Sequence, residues 1–246
     1  MRCFFIIGAQ RSGTTFLYHL LRQHPEICIA KPVKPEPKYF LGRSDFNISH
    51  YLSTHFKHRK EEMLIGEKST TYIENFSACE FIYDHLPESK FIIALRNPVH
   101  RALSNYYFSK QHHLETRTLR QAFLERLPEP ELQRVMSTNP FDYVERGEYA
   151  RYLNPIFRSF NPRRVHVMVF EEFTQNYARI QDLLKFLMVD DSFFPTGFDT
   201  KINASISKPS MCEDDEVLQM LYKHYGSWNE RLFDILGRGI PDWEAS

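Results

Sequence analysis

The sequence predicts an α/β protein in which a central parallel sheet is flanked by helices. Four short apolar runs, typical of buried strands, lie at CFFIIG, LIGEK, KFIIALR and RVHVMVFEEF. Helical patterns fall between these runs, and apolar strands that alternate with helices favour a parallel sheet covered on both faces. The first run ends in a glycine-bracketed turn that leads directly into a helix, which is the strand-loop-helix arrangement of a phosphate-binding loop (P-loop-like).

The spacing of apolar residues and the capping residues predict the helices. Their ranges are 14–23, 77–86, 98–110, 118–127, 149–160, 176–189 and 213–237. Asn97 is a natural N-cap, and Pro98 suits the first position of the helix that follows it. Residues 31–60 and 128–148 are rich in proline and polar residues and are predicted to form surface loops. Loops at the carboxyl ends of parallel strands are where ligands bind.

The composition predicts a single domain over residues 1–246. The chain has 246 residues, 42% of them hydrophobic, which is enough for one large core and short for two. Lysine plus arginine (31) balance aspartate plus glutamate (31), so no overall field draws the protein to nucleic acid or an anionic membrane. No apolar segment approaches the ~20 residues of a membrane span. We therefore expect a cytoplasmic protein, or the excised catalytic domain of a membrane-anchored enzyme.

The segment GAQRSGTT predicts an anion-binding site. A strand that turns directly into a helix points successive backbone N–H groups and the helix N-terminus at one spot. The hydroxyls of Ser12, Thr14 and Thr15 add donors there. Gly13 belongs to the turn, and Arg11 supplies a positive charge. The alternative is a strand-to-helix turn whose glycines serve only its geometry.

A second phosphate pocket is predicted where the strand KFIIALR meets the next helix. Arg96 lies at the carboxyl end of the strand, and Ser104 lies two turns into the helix. The two side chains together would form a compact site for a phosphate. Alternatively, Arg96 pairs with a surface carboxylate.

These two motifs resemble those of sulfotransferases that use 3′-phosphoadenosine 5′-phosphosulfate (PAPS). QRSGTTFLYHLL resembles their 5′-phosphosulfate loop, and RNPVHRALSNYY resembles their 3′-phosphate motif. GEKSTTYI is similar to a segment of the heparan sulfate sulfotransferases, and RGEYARYL and VFEEF extend the resemblance over most of the chain. The resemblance implies that PAPS is the co-substrate and adenosine 3′,5′-bisphosphate the product. It assigns cofactor binding to Arg11, Ser12, Gly13, Thr14, Thr15, Arg96 and Ser104, and also to Lys208 in the late segment NASISKPS.

The resemblance also implies the catalytic residues. It places the general base at Glu36 in KPVKPEPKYF, and Lys68 matches a lysine that the family keeps near the transferring group or the acceptor. Arg11 stands where the family has the basic residue of its loop. The alternatives are a solvated Glu36 and a salt bridge of Lys68 with Glu67 or Glu36. Should Glu36 not be the base, His112 and His113 are the next candidates.

The acceptor is expected to be a saccharide, through a hydroxyl or an amine. Basic residues in loops beside the expected mouth of the site would favour an anionic saccharide; they are Lys31, Lys34, Lys38, Arg43, Lys57, Arg59 and Lys60. The same run can also be an ordinary solvated face. A small molecule, a lipid, a polyketide hydroxyl or a peptide tyrosine is the alternative acceptor.

Two other functions are compatible with an anion-binding loop. One is an ATP-dependent kinase or NTPase, because Glu171 or Glu172 after HVMVF could imitate an acidic strand end; the loop lysine of that class is replaced by Thr14. The other is a nucleotide-binding protein without catalytic activity. We expect no metal requirement, since a transferring sulfonate carries less charge than a phosphoryl group. His50, His55 and His58 are expected to be surface residues rather than metal ligands.

Overall fold

A five-stranded sheet forms the centre of the protein in the computed structural model, which describes residues 1–132, 137–196, 198 and 214–243. The strands are β1 (Cys3–Gly8), β2 (Ile27–Ile29), β3 (Leu64–Lys68), β4 (Ser89–Leu95) and β5 (Val165–Val169). Their order across the sheet is β2-β3-β1-β4-β5, and all four pairings are parallel. The predicted α/β class with a parallel sheet is confirmed. Since β1 lies between β3 and β4, the carboxyl ends of these three strands are neighbours.

The described helices follow the predicted ranges to within about four residues at each end, and α2 and α7 are additional. They are α1 (Thr14–Leu21), α2 (Ile48–His55), α3 (Phe76–His85), α4 (Pro98–Gln111), α5 (Leu119–Phe123), α6 (Tyr149–Ser159), α7 (Phe170–Phe173), α8 (Tyr177–Leu187) and α9 (Asp215–Leu236). Short 3₁₀ helices lie at Tyr72–Glu74, Glu145–Gly147, Pro162–Arg164 and Pro241–Trp243. No described helix is both long enough and apolar enough to cross a membrane.

Two apolar clusters cover the two faces of the sheet. Phe5 and Ile7 of β1 belong to the cluster with α3, α6 and the end of α9, whereas Phe4 and Ile6 belong to the cluster with α1 and α8. Successive strand residues point to opposite faces, so each needs a layer of helices. This is why the strands read as continuous apolar runs rather than as alternating ones.

Two strands of the sheet differ from the prediction: β2 was not predicted, and β5 is shorter than expected. β2 has only three residues, Ile27–Ile29, which is too short for a periodic signal. The last predicted strand, RVHVMVFEEF, forms β5 only as far as Val169, and its end, Phe170–Phe173, is helical. Because residues 170–173 form a helix, Glu171 and Glu172 do not continue the extended backbone of β5.

Both predicted surface loops contain buried aromatic side chains, so that prediction is wrong in part. Residues 31–60 also include α2. The buried aromatic residues are Tyr39, Phe40, Tyr51 and Phe56 in the first segment and Phe141 and Tyr143 in the second. The ring centroids of Tyr39 and Phe40 lie 4.8 Å and 5.2 Å from that of Tyr51 in α2. These ring contacts fix the chain that follows Glu36 against the core.

Gly66 and Gly226 give a matched test of the packing. A Cβ at Gly66 in β3 would lie 2.1 Å from the Phe4 ring, whereas nothing lies within 4 Å of a Cβ at Gly226 in α9. We expect Gly66→Ala to lower the free energy of unfolding by ~1–3 kcal/mol through overpacking. Gly226→Ala should raise it by ~0.5–1 kcal/mol, since alanine favours a helix. Urea unfolding followed by circular dichroism measures both, and an unchanged stability in Gly66→Ala would contradict the described core.

Candidate active site

The loop between β1 and α1 has the backbone of an anion-binding turn. Arg11 and Gly13 adopt left-handed conformations, with φ of 68° and 81°. A Cβ at Gly13 would lie 2.6 Å from the Phe170 ring and 2.9 Å from that of Phe173. Glycine is therefore required at position 13 both for the turn and for the approach of α7. The first N–H groups of α1 have no carbonyl partner within the helix and face the same region.

Arg11 links this loop to helix α4. Its Nε donates to Ser104 Oγ at 3.1 Å, and its guanidinium carbon lies 4.6 Å from the centroid of the Phe108 ring. Arg11 lines a cleft, where surrounding protein atoms displace part of the hydration of its guanidinium group. Desolvation, and to a smaller extent repulsion from Arg96 and Arg101, lowers the pKa of Arg11 to about 10. The guanidinium therefore stays charged at neutral pH.

Arg96 leaves the end of β4 where the predicted cap begins α4. The Asn97 side chain accepts from Val99 N at 3.0 Å, and Pro98 occupies the first helical turn, as predicted. The Arg96 guanidinium carbon lies 4.9 Å from the Phe170 ring centroid. Its Nη1 is 3.4 Å from Arg11 O, and its Nε is buried with no hydrogen-bond partner among the described residues. Desolvation lowers the pKa of Arg96.

Three guanidinium groups lie in this region without a direct ion pair to a carboxylate among the described residues, although the carboxylate of Glu171 acts on Arg96 from a longer distance. Arg101 is completely buried in α4, and its Nη2 donates to the backbone oxygen of Tyr143. Within the described residues, no carboxylate oxygen lies within 4 Å of a side-chain nitrogen of Arg11, Arg96 or Arg101. Buried charges are normally paired. The region therefore suits a ligand that brings several negative charges.

Glu36 lies opposite the loop and is held by three groups from the end of β3 and the turn after it. One of its oxygens, Oε1, forms an ion pair with Lys68 Nζ. The other, Oε2, accepts from Thr70 N at 2.9 Å and from Thr70 Oγ1 at 3.0 Å. Only 14% of the Glu36 side chain and 4% of the Lys68 side chain are exposed. Of the alternatives open from the sequence, the structure pairs Lys68 with Glu36 rather than with Glu67.

One cleft, with a volume of about 270 Å³, brings these groups together. It is lined by Gln10, Arg11, Thr14, Thr15, Lys34, Pro35, Glu36, Lys38, Lys68, Thr70, Asn105 and Phe108. Five predicted site residues, Arg11, Thr14, Thr15, Glu36 and Lys68, are therefore found in one place. Ser12, Gly13, Arg96 and Ser104 are not among its lining residues, and Lys208 falls outside the described residues.

Two of the seven predicted acceptor-facing cations, Lys34 and Lys38, line the cleft. Lys38 adopts a left-handed backbone with φ of 49°, its backbone N donates to Ser69 Oγ at 2.9 Å, and its ammonium group donates to Ser137 Oγ. Desolvation lowers the pKa of Lys38, and the carboxylate of Glu36 opposes that shift. Among the described lining residues, the cleft therefore has several cations beside a single carboxylate, that of Glu36.

Residues that the sequence suggested for a kinase or a metal site make other contacts. Glu171 accepts from Asn97 N at 3.0 Å, and Glu172 forms an ion pair with Arg238. His50 contacts the hydroxyl of Tyr39 at 3.2 Å. The described part of the chain contains no group of three or more His, Cys, Asp or Glu side chains that could hold a metal ion.

Sequence reasoning missed Thr70, Arg101 and Phe170 as parts of the site. The hydroxyl run in GEKSTT was a usable signal for Thr70, because it directly follows a strand whose carboxyl end faces the site. Arg101 and Phe170 gave no such signal, since a single arginine in a helix and a phenylalanine after a strand are common. Their relevance follows only from contacts between distant segments.

Comparison with protein families and solved structures gives one consistent result. A family model described as the sulfotransferase domain matches residues 2–193. A crystal structure of a sulfotransferase from Alicyclobacillus acidocaldarius is similar, with a TM-score of 0.76 and 26% sequence identity. The match covers 99% of this chain and 98% of that one.

Curated relatives point to the same family. The chain is 39% identical to the membrane-associated sulfotransferase kil1 of Dictyostelium discoideum over 44% of this chain and 23% of that protein. It is 26% identical to a bifunctional heparan sulfate N-deacetylase/N-sulfotransferase 1 of Caenorhabditis briggsae, over 97% of this chain and 31% of that protein. It is 25% identical to the heparan sulfate glucosamine 3-O-sulfotransferase 3A1 of Homo sapiens, over 98% of this chain and 62% of that protein. The chain thus spans less than two thirds of each of these three relatives. With its motifs, its fold and the family match in agreement, the chain belongs to the sulfotransferase family.

Proposed function

We propose that the protein transfers a sulfonate group from PAPS to a hydroxyl or amine of a saccharide by in-line displacement. The observation that carries this proposal is the shared cleft, in which Glu36, Lys68 and Arg11 line one cavity. A base, a cation and an anion-binding loop are the groups that such a transfer requires.

The donor is proposed to lie across the loop and the start of α4. Its 5′-phosphosulfate would contact Arg11, Ser12, Gly13, Thr14 and Thr15, and its 3′-phosphate would contact Arg96 and Ser104. The buried Nε of Arg96, which has no hydrogen-bond partner in the described part of the chain, supports this fit, and so does the hydrogen bond between Arg11 and Ser104. When bound, PAPS supplies the sulfonate and yields adenosine 3′,5′-bisphosphate. Lys208 is proposed for the 3′-phosphate from the sequence alone.

Glu36 is proposed as the general base. A carboxylate offers about four lone-pair sites, and Lys68 and Thr70 do not use all of them, so an acceptor O–H or N–H can still donate to it. Removal of the acceptor proton by a positioned base is worth ~10²- to 10⁴-fold in rate.

Proton transfer would also change the role of Lys68. Once Glu36 takes up a proton, the ion pair loses its negative partner while the ammonium group stays charged. Lys68 can then stabilise the negative charge that develops on the sulfonate oxygens. Arg11, which stays protonated, supplies a second cation with donors in a fixed planar arrangement.

A saccharide acceptor is supported by the charge of the cleft and by the relatives. Lys34 and Lys38 lie beside Glu36 and would favour an acceptor that carries carboxylates or sulfates. Two of the compared relatives carry heparan sulfate in their names. A transfer screen with labelled PAPS against glycans, phenols, sterols and hydroxyacyl thioesters tests the acceptor class. Labelling confined to the non-glycan acceptors would favour the alternative, a small-molecule, lipid or polyketide hydroxyl.

Arg96→Ala tests the 3′-phosphate pocket. Loss of a charge-assisted pair costs ~1.5–3 kcal/mol, so affinity for adenosine 3′,5′-bisphosphate should fall by about 10- to 10²-fold. Affinity for adenosine 5′-phosphate, which lacks the 3′-phosphate, should change little. Titration calorimetry with both nucleotides measures this, with Arg158→Ala on the exposed side of α6 as the control. Equal losses for the two nucleotides would remove Arg96 from the pocket.

Glu36→Gln tests the base. Glutamine keeps the size and most of the polarity but cannot take up a proton, so turnover should fall by ~10²-fold or more. Affinity for adenosine 3′,5′-bisphosphate should be retained. The exposed Glu61→Gln is the matched control. Turnover close to that of the wild type in Glu36→Gln would require a different base.

Transfer should continue when divalent metals are removed. Lys68, Arg11 and the backbone N–H groups of the loop are proposed to supply the charge stabilisation that magnesium supplies in phosphoryl transfer. Initial rates in excess EDTA should equal those in magnesium to within about twofold. Strict dependence on magnesium, together with thermal stabilisation by Mg-ATP rather than by adenosine 3′,5′-bisphosphate, would instead favour a kinase.

A further inference from the structure

A second carboxylate, that of Glu67, lies directly behind the cleft in β3. Glu67 is fully buried, with 0% of its surface exposed. Three hydroxyl groups donate to it, each at 2.6 Å: Tyr51 OH, Ser69 Oγ and Tyr72 OH. Glu67 does not line the cleft, so it contacts neither of the proposed substrates.

The charge of Glu67 fixes the direction of these hydrogen bonds. An ionised carboxylate only accepts, so each hydroxyl must point its single proton at it. The oxygens of Ser69 and Tyr72 are then left as acceptors. Ser69 Oγ accepts from Lys38 N at 2.9 Å, and Tyr72 OH accepts from Phe40 N at 3.0 Å.

These two hydrogen bonds fix the backbone at Lys38 and Phe40, which lie two and four residues after Glu36. The alternate residues of the same segment, Lys68 and Thr70, bind the Glu36 carboxylate itself. Residues 67–72 therefore hold the chain around Glu36 from two sides, through its side chain and through the backbone that follows it.

We propose that Glu67 is a positioning residue for Glu36. It orients the hydroxyls of Ser69 and Tyr72 as acceptors, and these hold residues 38–40 so that Glu36 stays against Lys68 and Thr70. This inference rests on the proposed role of Glu36 as the base. A displacement of about 1 Å at a reacting group can cost ~10²-fold in rate, so small errors in this backbone matter.

A carboxylate is well suited to this task, although burial disfavours its charge. Desolvation raises the pKa of Glu67, and the hydrogen bonds from Ser69, Tyr51 and Tyr72 oppose that shift. Ser69 and Tyr72 donate to one oxygen of Glu67, and Tyr51 donates to the other. An ionised carboxylate accepts from all three hydroxyls at once, whereas a glutamine would have to turn its NH₂ group toward one of them.

Tyr72→Phe and Tyr51→Phe form a matched test. Both tyrosines are buried and both donate to Glu67, but only the Tyr72 hydroxyl accepts from the segment after Glu36. Both variants keep their aromatic ring and should lower Tm by similar amounts. We expect Tyr72→Phe to lower kcat by ~10- to 10²-fold, with the Kd for adenosine 3′,5′-bisphosphate unchanged. Tyr51→Phe removes one donor to Glu67 but no acceptor for residues 38–40, so it should lower kcat by a clearly smaller factor than Tyr72→Phe.

Two further variants complete the experiment. Ser69→Ala, which removes the acceptor for Lys38 N, should lower kcat in the same manner, and it replaces Tyr72→Phe should that variant fail to fold. Equal kcat values in Tyr72→Phe, Ser69→Ala and Tyr51→Phe would overturn the inference. Glu36→Gln in the same assay separates a failure of the positioning role from a failure of the proposed base. An inactive Glu36→Gln beside a fully active Tyr72→Phe refutes the positioning role alone, whereas an active Glu36→Gln refutes both.

Discussion

The ion pair between Glu36 and Lys68 is the interaction on which the site depends, because it joins an irregular segment to the end of a central strand. Two charges with so little exposure lose much of their hydration, and the pair is favourable only when further donors complete it. Thr70 supplies those donors. On the other side, the packing of Tyr39 and Phe40 against Tyr51 fixes the chain in the core. Apolar packing thus holds the segment in place, and hydrogen bonds set the direction of the carboxylate.

The charges of the molecule balance in number but not in space. The chain has 31 basic and 31 acidic residues, yet Arg11, Arg96 and Arg101 have no carboxylate within 4 Å among the described residues. Uncompensated charge near the end of a sheet costs folding free energy, and an anionic ligand offsets part of that cost when it binds. The same three groups that disfavour the free protein would therefore favour its complex with the proposed anionic donor.

Features contained in one contiguous stretch could be predicted from the sequence, and features made by distant stretches could not. The loop at Arg11, the capped start of α4 and four of the five strands each follow from neighbouring residues, and the structure places them accordingly. β2 was missed because three residues carry no period, and α2 because a proline-rich composition obscured it. The partner of Glu36 could not be chosen from the sequence, since Lys68 lies 32 residues away and the carboxyl of Glu67 next to it was an equal candidate.

Side chains along residues 67–70 alternate between the buried interior and the cleft. Glu67 and Ser69 face the buried hydroxyl network, whereas Lys68 and Thr70 face the cleft. Insertion or deletion of a single residue here would exchange the two sets, placing the ammonium group in the core and the buried carboxylate among the reactants. The fold therefore constrains the length of this segment even where it would tolerate a change of side chain.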